Sequence, residues 1–126
     1  ISACPTEVLD FDDPERTLPT WARWRTLRQM AWHLVDCESR YYLPMLGLPG
    51  REAEVELTSE PRASARHVRD SVETIPSDLV DRSDGQVWTT VKLLRRLAWH
   101  ERSELVVMKR LAARARMPGG FEGDRP

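Results

Sequence analysis

Residues 86–116 contain neither proline nor glycine and run straight into Met-Pro-Gly-Gly, the punctuation of a helix end. Along them Leu93, Leu97, His100, Glu104, Val107 and Leu111 alternate four- and three-residue steps, the seam spacing of a helix packed inside a bundle. That stretch restricts the chain to helical packing. It also sets a chemical problem, because an imidazole and a carboxylate one turn apart interrupt an aliphatic stripe. A shift of register does not expel both, since Leu94, Ala98, Leu105 and Met108 lie on the adjoining flank. Burying such a pair costs free energy unless the groups are hydrogen-bonded, ion-paired or bound to a metal.

A second amphipathic stretch covers 20–43, with Thr20 as its expected N-cap. Leu27, Met30, Leu34, Cys37 and Tyr41 form its stripe, widened by Ala31, Val35 and Tyr42. Pro44, Gly47, Pro49 and Gly50 end it. Residues 51–60 read as polar linker, and Ser59 with Glu60 and Pro61 starts a helix over 60–75 along an Ala65, Val68, Val72 and Ile75 seam. Residues 76–85 read as loop, 1–19 as an extended lead-in with at most a turn of helix, and 117–126 as a flexible tail. The only alternating stretch is Glu-Val-Glu-Leu at 54–57, so the expected class is all-α. Three helices make a thin bundle. A fourth element is wanted from the N-terminal segment, from residues upstream of Ile1 or from a partner chain.

The 126 residues suit one domain, with 31% charged and 40% hydrophobic side chains, as in a soluble protein. Nineteen basic and twenty acidic residues give a net charge of −1, which offers no footprint for nucleic acid. No apolar run is long enough to cross a bilayer. Cys4 and Cys37 are too few for a disulfide framework and read as reduced thiols in a cytoplasm.

The word Ala-Trp-His occurs twice, at 31–33 and 98–100, and carries two of the three histidines. His33 borders the apolar stripe of its helix, with Cys37 one turn onward. If the two long helices pack side by side, His33, His100 and Glu104 supply a two-histidine, one-carboxylate set for a divalent metal. Such an ion is a Lewis acid that lowers the pKa of a water or thiol. Trp32, Cys37, Arg96 and Trp99 are the candidate pocket-lining residues. Plainer roles compete at each position. His100 and Glu104 can form a structural hydrogen-bonded pair, Cys37 can be a small core residue, the tryptophans can be packing, and Arg95 with Arg96 can be a solvated flank. His67, flanked by arginine, is expected in solvent.

The segments Thr-Trp-Ala-Arg-Trp-Arg-Thr-Leu-Arg-Gln-Met-Ala-Trp-His-Leu-Val-Asp-Cys-Glu-Ser-Arg-Tyr-Tyr (20–42) and Asp-Gly-Gln-Val-Trp-Thr-Thr-Val-Lys-Leu-Leu-Arg-Arg-Leu-Ala-Trp-His-Glu-Arg-Ser-Glu-Leu (84–105) resemble helices two and four of the DinB/YfiT-like superfamily. The likeness covers roughly 20–45 and 83–112. It implies an antiparallel four-helix bundle, often a homodimer, whose first helix lacks a clear counterpart here. It also implies a divalent metal such as zinc, nickel or iron, held by one histidine of helix two and two of helix four. His33 and His100 match two of those ligands, and Glu104 stands where the family has the third histidine. The family includes metal-dependent enzymes and thiol-dependent transferases, so a small-molecule substrate is implied, with mycothiol as a co-substrate suited to this arginine-rich chain. The departure at Glu104 also suits a rival, a metal-free bundle serving as an interaction or ligand-binding module. DNA binding fails on charge balance.

Overall fold

Both long helical rods start at a threonine that caps them. The computed structural model describes residues 4–20, 23–83 and 85–117. In chain order its elements are α1 (Thr6–Leu9), α2 (Leu27–Asp36), a π-helical turn (Cys37–Tyr42), α3 (Leu43–Met45), α4 (Glu60–Glu73), the strands β1 (Val80–Ser83) and β2 (Gln86–Thr89), and α5 (Thr90–Arg116). The chain is mostly helical, as the periodicity predicts. No helix among the described residues is long and apolar enough to cross a membrane.

α2 begins at Leu27, not after Thr20. Thr26 accepts from the Gln29 backbone N–H while the Gln29 side chain accepts from the Thr26 backbone, a capping box that satisfies two orphan amides. Upstream, Arg16 donates to the carbonyls of Trp24 and Arg25, which holds that segment against the body. Residues 21 and 22 of the expected helix start lie outside the described residues. So does nearly all of the expected tail, from 118 onward.

The expected loop at 76–85 holds over 76–79, but 80–83 are a strand, and the helix expected from 86 starts at Thr90, because β1 and β2 form an antiparallel hairpin. Val80 pairs with Thr89, Asp81 with Trp88, Arg82 with Val87 and Ser83 with Gln86. Gly85, just before β2, takes φ +73°, which a residue with a Cβ adopts at a cost. Thr89 then caps α5 by accepting from the Lys92 backbone N–H. The alternating 54–57 segment is not a strand. Its Leu57 plugs the core from an irregular loop.

Two apolar clusters make up the core. The first joins Val8 and Leu9 of α1, Leu27, Met30 and Ala31 of α2, and Met108, Leu111 and Ala115 of α5. The second joins Tyr42, Leu43, Met45, Leu46, Trp88 and Leu93. The start of α2 meets the end of α5, and the end of the α2 rod meets its start, so the two are antiparallel. α1, one turn of helix in the expected lead-in, covers α5 beside α2.

The α5 seam is buried as its spacing predicts, at Leu93, His100 and Leu111, with Leu97, Glu104 and Val107 half-buried. Of its supposed flank only Met108 is buried, whereas Leu94, Ala98 and Leu105 face outward. On α2 the stripe slips by one residue. The π turn takes up an extra residue, so Tyr42 enters the core and Tyr41 is left 49% exposed. On α4 the expected seam is only partly right, since Ala65 is exposed while Glu60 and Ser64 are fully buried. Glu60 is tolerated inside because Arg51 grips both its oxygens at 2.6 and 3.1 Å, Arg40 donates at 3.1 Å and the Glu54 backbone N–H at 2.5 Å. Burial raises its carboxyl pKa, but these donors win and hold it below the usual range.

Candidate metal centre

Between the two clusters lies a belt of polar side chains. Met30 and Ala31 precede His33 on α2 and belong to the first cluster; Tyr42 follows it and belongs to the second. On α5, His100 and Glu104 stand in the same way between Leu93 and Met108. Antiparallel packing therefore brings both histidines to one level.

The Nε2 atoms of His33 and His100 are 3.3 Å apart. Glu104 Oε1 lies 3.9 Å from His33 Nε2 and 3.8 Å from His100 Nε2. Thus the three predicted ligands meet in the interior, with side chains 14%, 8% and 23% exposed for His33, His100 and Glu104. Cys37 joins them, its Sγ 3.6 Å from His33 Nδ1 and 3.9 Å from Nε2, and His33, Cys37 and His100 form a group able to hold a metal ion.

Two nitrogens 3.3 Å apart, each bonded at about 2.05 Å, subtend roughly 107° at the shared ion, close to tetrahedral. The carboxylate at its present distance would subtend roughly 140°, so it must swing inward by about 0.5 Å. Burial, then the neighbouring His33, pushes the His100 pKa down to about 4, and burial lowers His33 as well against the pull of the Glu104 and Asp36 carboxylates. Both rings are therefore neutral near pH 7, the form that ligates. Burial with the Asp36, Glu104 and Glu38 carboxylates pushes the Cys37 thiol up to about 11, so without a cation beside it the group stays protonated. The donor set and its spacing fit a divalent ion. One feature fits less well. His100 Nδ1 is buried without a hydrogen-bond partner, where a ligating histidine usually donates to an acceptor.

The ring stacked on His33 is Trp24, at 3.7 Å between centroids, and Tyr42 meets His100 edge-on at 5.6 Å. The pocket-lining expectations fare differently. Trp32 packs against the first cluster, and Trp99, 56% exposed, lines a groove on the outer face of α5 with Arg95, Glu101, Arg102 and Leu105. Arg96 is exposed and lies over the Trp99 ring at 5.5 Å. Trp32 and Trp99 turn aside because the helix rotates the residue before each histidine about 100° away from it. Of that set Cys37 touches His33, and the Trp99 ring lies tilted beside His100 at 6.4 Å between centroids. His67, only half-buried, donates from Nε2 to the Pro49 carbonyl at 2.9 Å, a tie its arginine neighbours do not announce.

The belt continues toward α4 with residues that helical periodicity alone does not reveal. Ser39 donates to Ser64 at 2.7 Å, and Ser64 to Glu38 Oε2 at 3.3 Å. Burial, and then the nearby Glu101, pushes the Glu38 carboxyl up to about 7. The available signal was Glu60, Ser64 and Val68 at four-residue steps, a stripe whose polar members conceal it. No family model, no curated protein and no solved structure matches the chain.

Proposed function

We propose that the chain is a DinB-like helical bundle whose His33, His100 and Glu104 hold a divalent metal, and that it is an enzyme acting on a small molecule by transfer, isomerisation or hydrolysis. The observation that carries this reading is the meeting of two neutral imidazole nitrogens at 3.3 Å with a carboxylate oxygen within 3.9 Å of both, inside an otherwise apolar seam. The ion would supply Lewis acidity toward a water or a thiol of the mycothiol type. His33 and His100 offer unprotonated nitrogens, Glu104 balances charge, and Trp24 with Tyr42 fixes the ring planes and excludes water. Zinc, nickel and iron all suit two imidazoles and a carboxylate. A cytoplasmic homodimer is part of the same reading, on the resemblance alone. Metal analysis of the purified chain tests it. The expected result is about one ion per chain, lost in His100→Ala; an unchanged metal content in that variant rejects the triad.

A second reading has its own observation. Without any ion, His100 can donate its Nε2–H to His33 Nε2, leaving at His100 Nδ1 a bare lone pair, less costly to bury unpaired than an N–H. On that view the belt is structural and the chain is a binding or interaction module. Chelation separates the two. The enzyme reading expects a lower Tm restored by added metal, and the structural reading expects no change.

A further inference from the structure

The seam residues account for three ligands, and one more donor stands beside them. Cys37 is one helical turn beyond His33, at the first position of the π turn, and its Sγ touches the His33 ring edge at 3.6 and 3.9 Å. The ligating atoms of His33, Cys37 and His100 all lie within 4.8 Å of one another. A tetrahedral ion with bonds of about 2.05 Å to nitrogen and 2.3 Å to sulfur requires N···S separations of roughly 3.6 Å. A change of χ1 rotamer sweeps a cysteine sulfur through about 3 Å, enough to close the difference. No disulfide competes for the group, since Cys37 is free.

We propose that Cys37 is a fourth protein ligand of this site, making a two-histidine, one-cysteine, one-carboxylate set that takes zinc in preference to magnesium or manganese. The inference rests on the metal reading above and narrows it. A thiolate favours a borderline-soft ion over hard cations that prefer oxygen. On binding, the S–H bond breaks, the sulfur keeps the electron pair and donates it to the ion, and the proton leaves to solvent. Four protein ligands fill a tetrahedral shell, so a substrate must either expand the shell or displace the sulfur.

Cobalt(II) titration of the full chain, in a Cys4→Ser background so that Cys37 is the only thiol, provides the test. The expected spectrum has visible ligand-field bands of a tetrahedral site together with a near-ultraviolet sulfur-to-cobalt charge-transfer band. Cys37→Ser should retain the visible bands, lose the charge-transfer band and weaken zinc binding by at least the roughly 10–100-fold typical of losing an outer-shell partner. Visible bands without the sulfur band in the parent chain overturn the proposal while the triad stands; they place Cys37 in the outer shell as the acceptor for His33 Nδ1–H. Absence of any cobalt spectrum overturns both readings. Should the serine variant fail to fold, alkylation of the chain with native cysteines decides the matter. Zinc is expected to protect Cys37 and leave Cys4 reactive, and equal reactivity of both thiols with and without zinc refutes the ligation.

Discussion

His100 and Glu38 lie in the same polar belt and are shifted in opposite senses, so their effects on acid stability oppose each other. His100 falls from an ordinary 6.5 to about 4. Between those values the unfolded chain takes up a proton that the native chain refuses, so stability drops as the pH falls. Glu38 rises from 4.5 to about 7. Between those values the native chain takes up a proton that the unfolded chain refuses, so stability grows as the pH falls. From about pH 7 to about pH 5 the first effect costs about 1.8 kcal/mol and the second contributes about 2.1 kcal/mol. Glu60, shifted downward, acts mainly below its ordinary 4.5, outside this window, and His33 adds in the direction of His100. The unmodified chain should therefore change little across the window. Glu38→Gln removes the compensating arm, and its stability should fall by about 2 kcal/mol or more over the same two pH units. Urea unfolding with a chelator present, at both pH values and for both chains, measures the difference. The reasoning is refuted if Glu38→Gln shows the same pH dependence as the unmodified chain.

Leu93 is fully buried in the second cluster, and Leu93→Ala should cost about 3–4 kcal/mol in denaturant unfolding. Glu60→Ala strands two partly buried guanidinium groups and should cost about 3 kcal/mol by the same assay, the low end of the range because Arg40 and Arg51 retain some solvent. Removing the capping box with Thr26→Ala should cost about 1 kcal/mol, and circular dichroism should register a frayed start to α2. Gly85→Ala meets no atom within 4 Å, so its cost of about 1 kcal/mol is purely conformational and should appear as a lower thermal midpoint.

The parts of the fold legible in the sequence are those where one periodicity holds. The α5 seam keeps its three-and-four spacing for most of the helix, and its residues are buried or half-buried at Leu93, Leu97, His100, Glu104, Val107 and Leu111. The His33, His100 and Glu104 meeting was legible for the same reason, since two antiparallel stripes with polar residues near their middles must bring them level. What was missed depends on chemistry outside the period. The sequence signal for the hairpin is the Asp-Gly word at 84–85, which lies in turn chemistry and not in a helical period. The π turn exchanges Tyr41 for Tyr42, a change invisible to a fixed 3.6-residue count. Glu60 and Ser64 look like surface residues until Arg51 and Ser39, 9 and 25 positions away, are brought against them. Trp24 reaches His33 from a non-helical segment, so no helical register could have paired them.

Two departures from best packing meet at one level of the bundle. Apolar residues at 33, 100 and 104 would merge the two clusters into one continuous core, and each polar side chain placed there forgoes part of that burial. A regular α-helix through Cys37–Tyr42 would spare the π turn, yet it would present a different residue from Tyr42 to the His100 ring. The extra residue lets both His33 and Tyr42 meet the His100 ring edge-on, at 5.1 and 5.6 Å between centroids. A structural hydrogen bond between the imidazoles accounts for their contact, but it requires neither the carboxylate equidistant from both nor the thiol beside His33. Between the two clusters, His33, Cys37 and His100 form a group that could hold a metal ion, with a Glu104 oxygen within 3.9 Å of both rings.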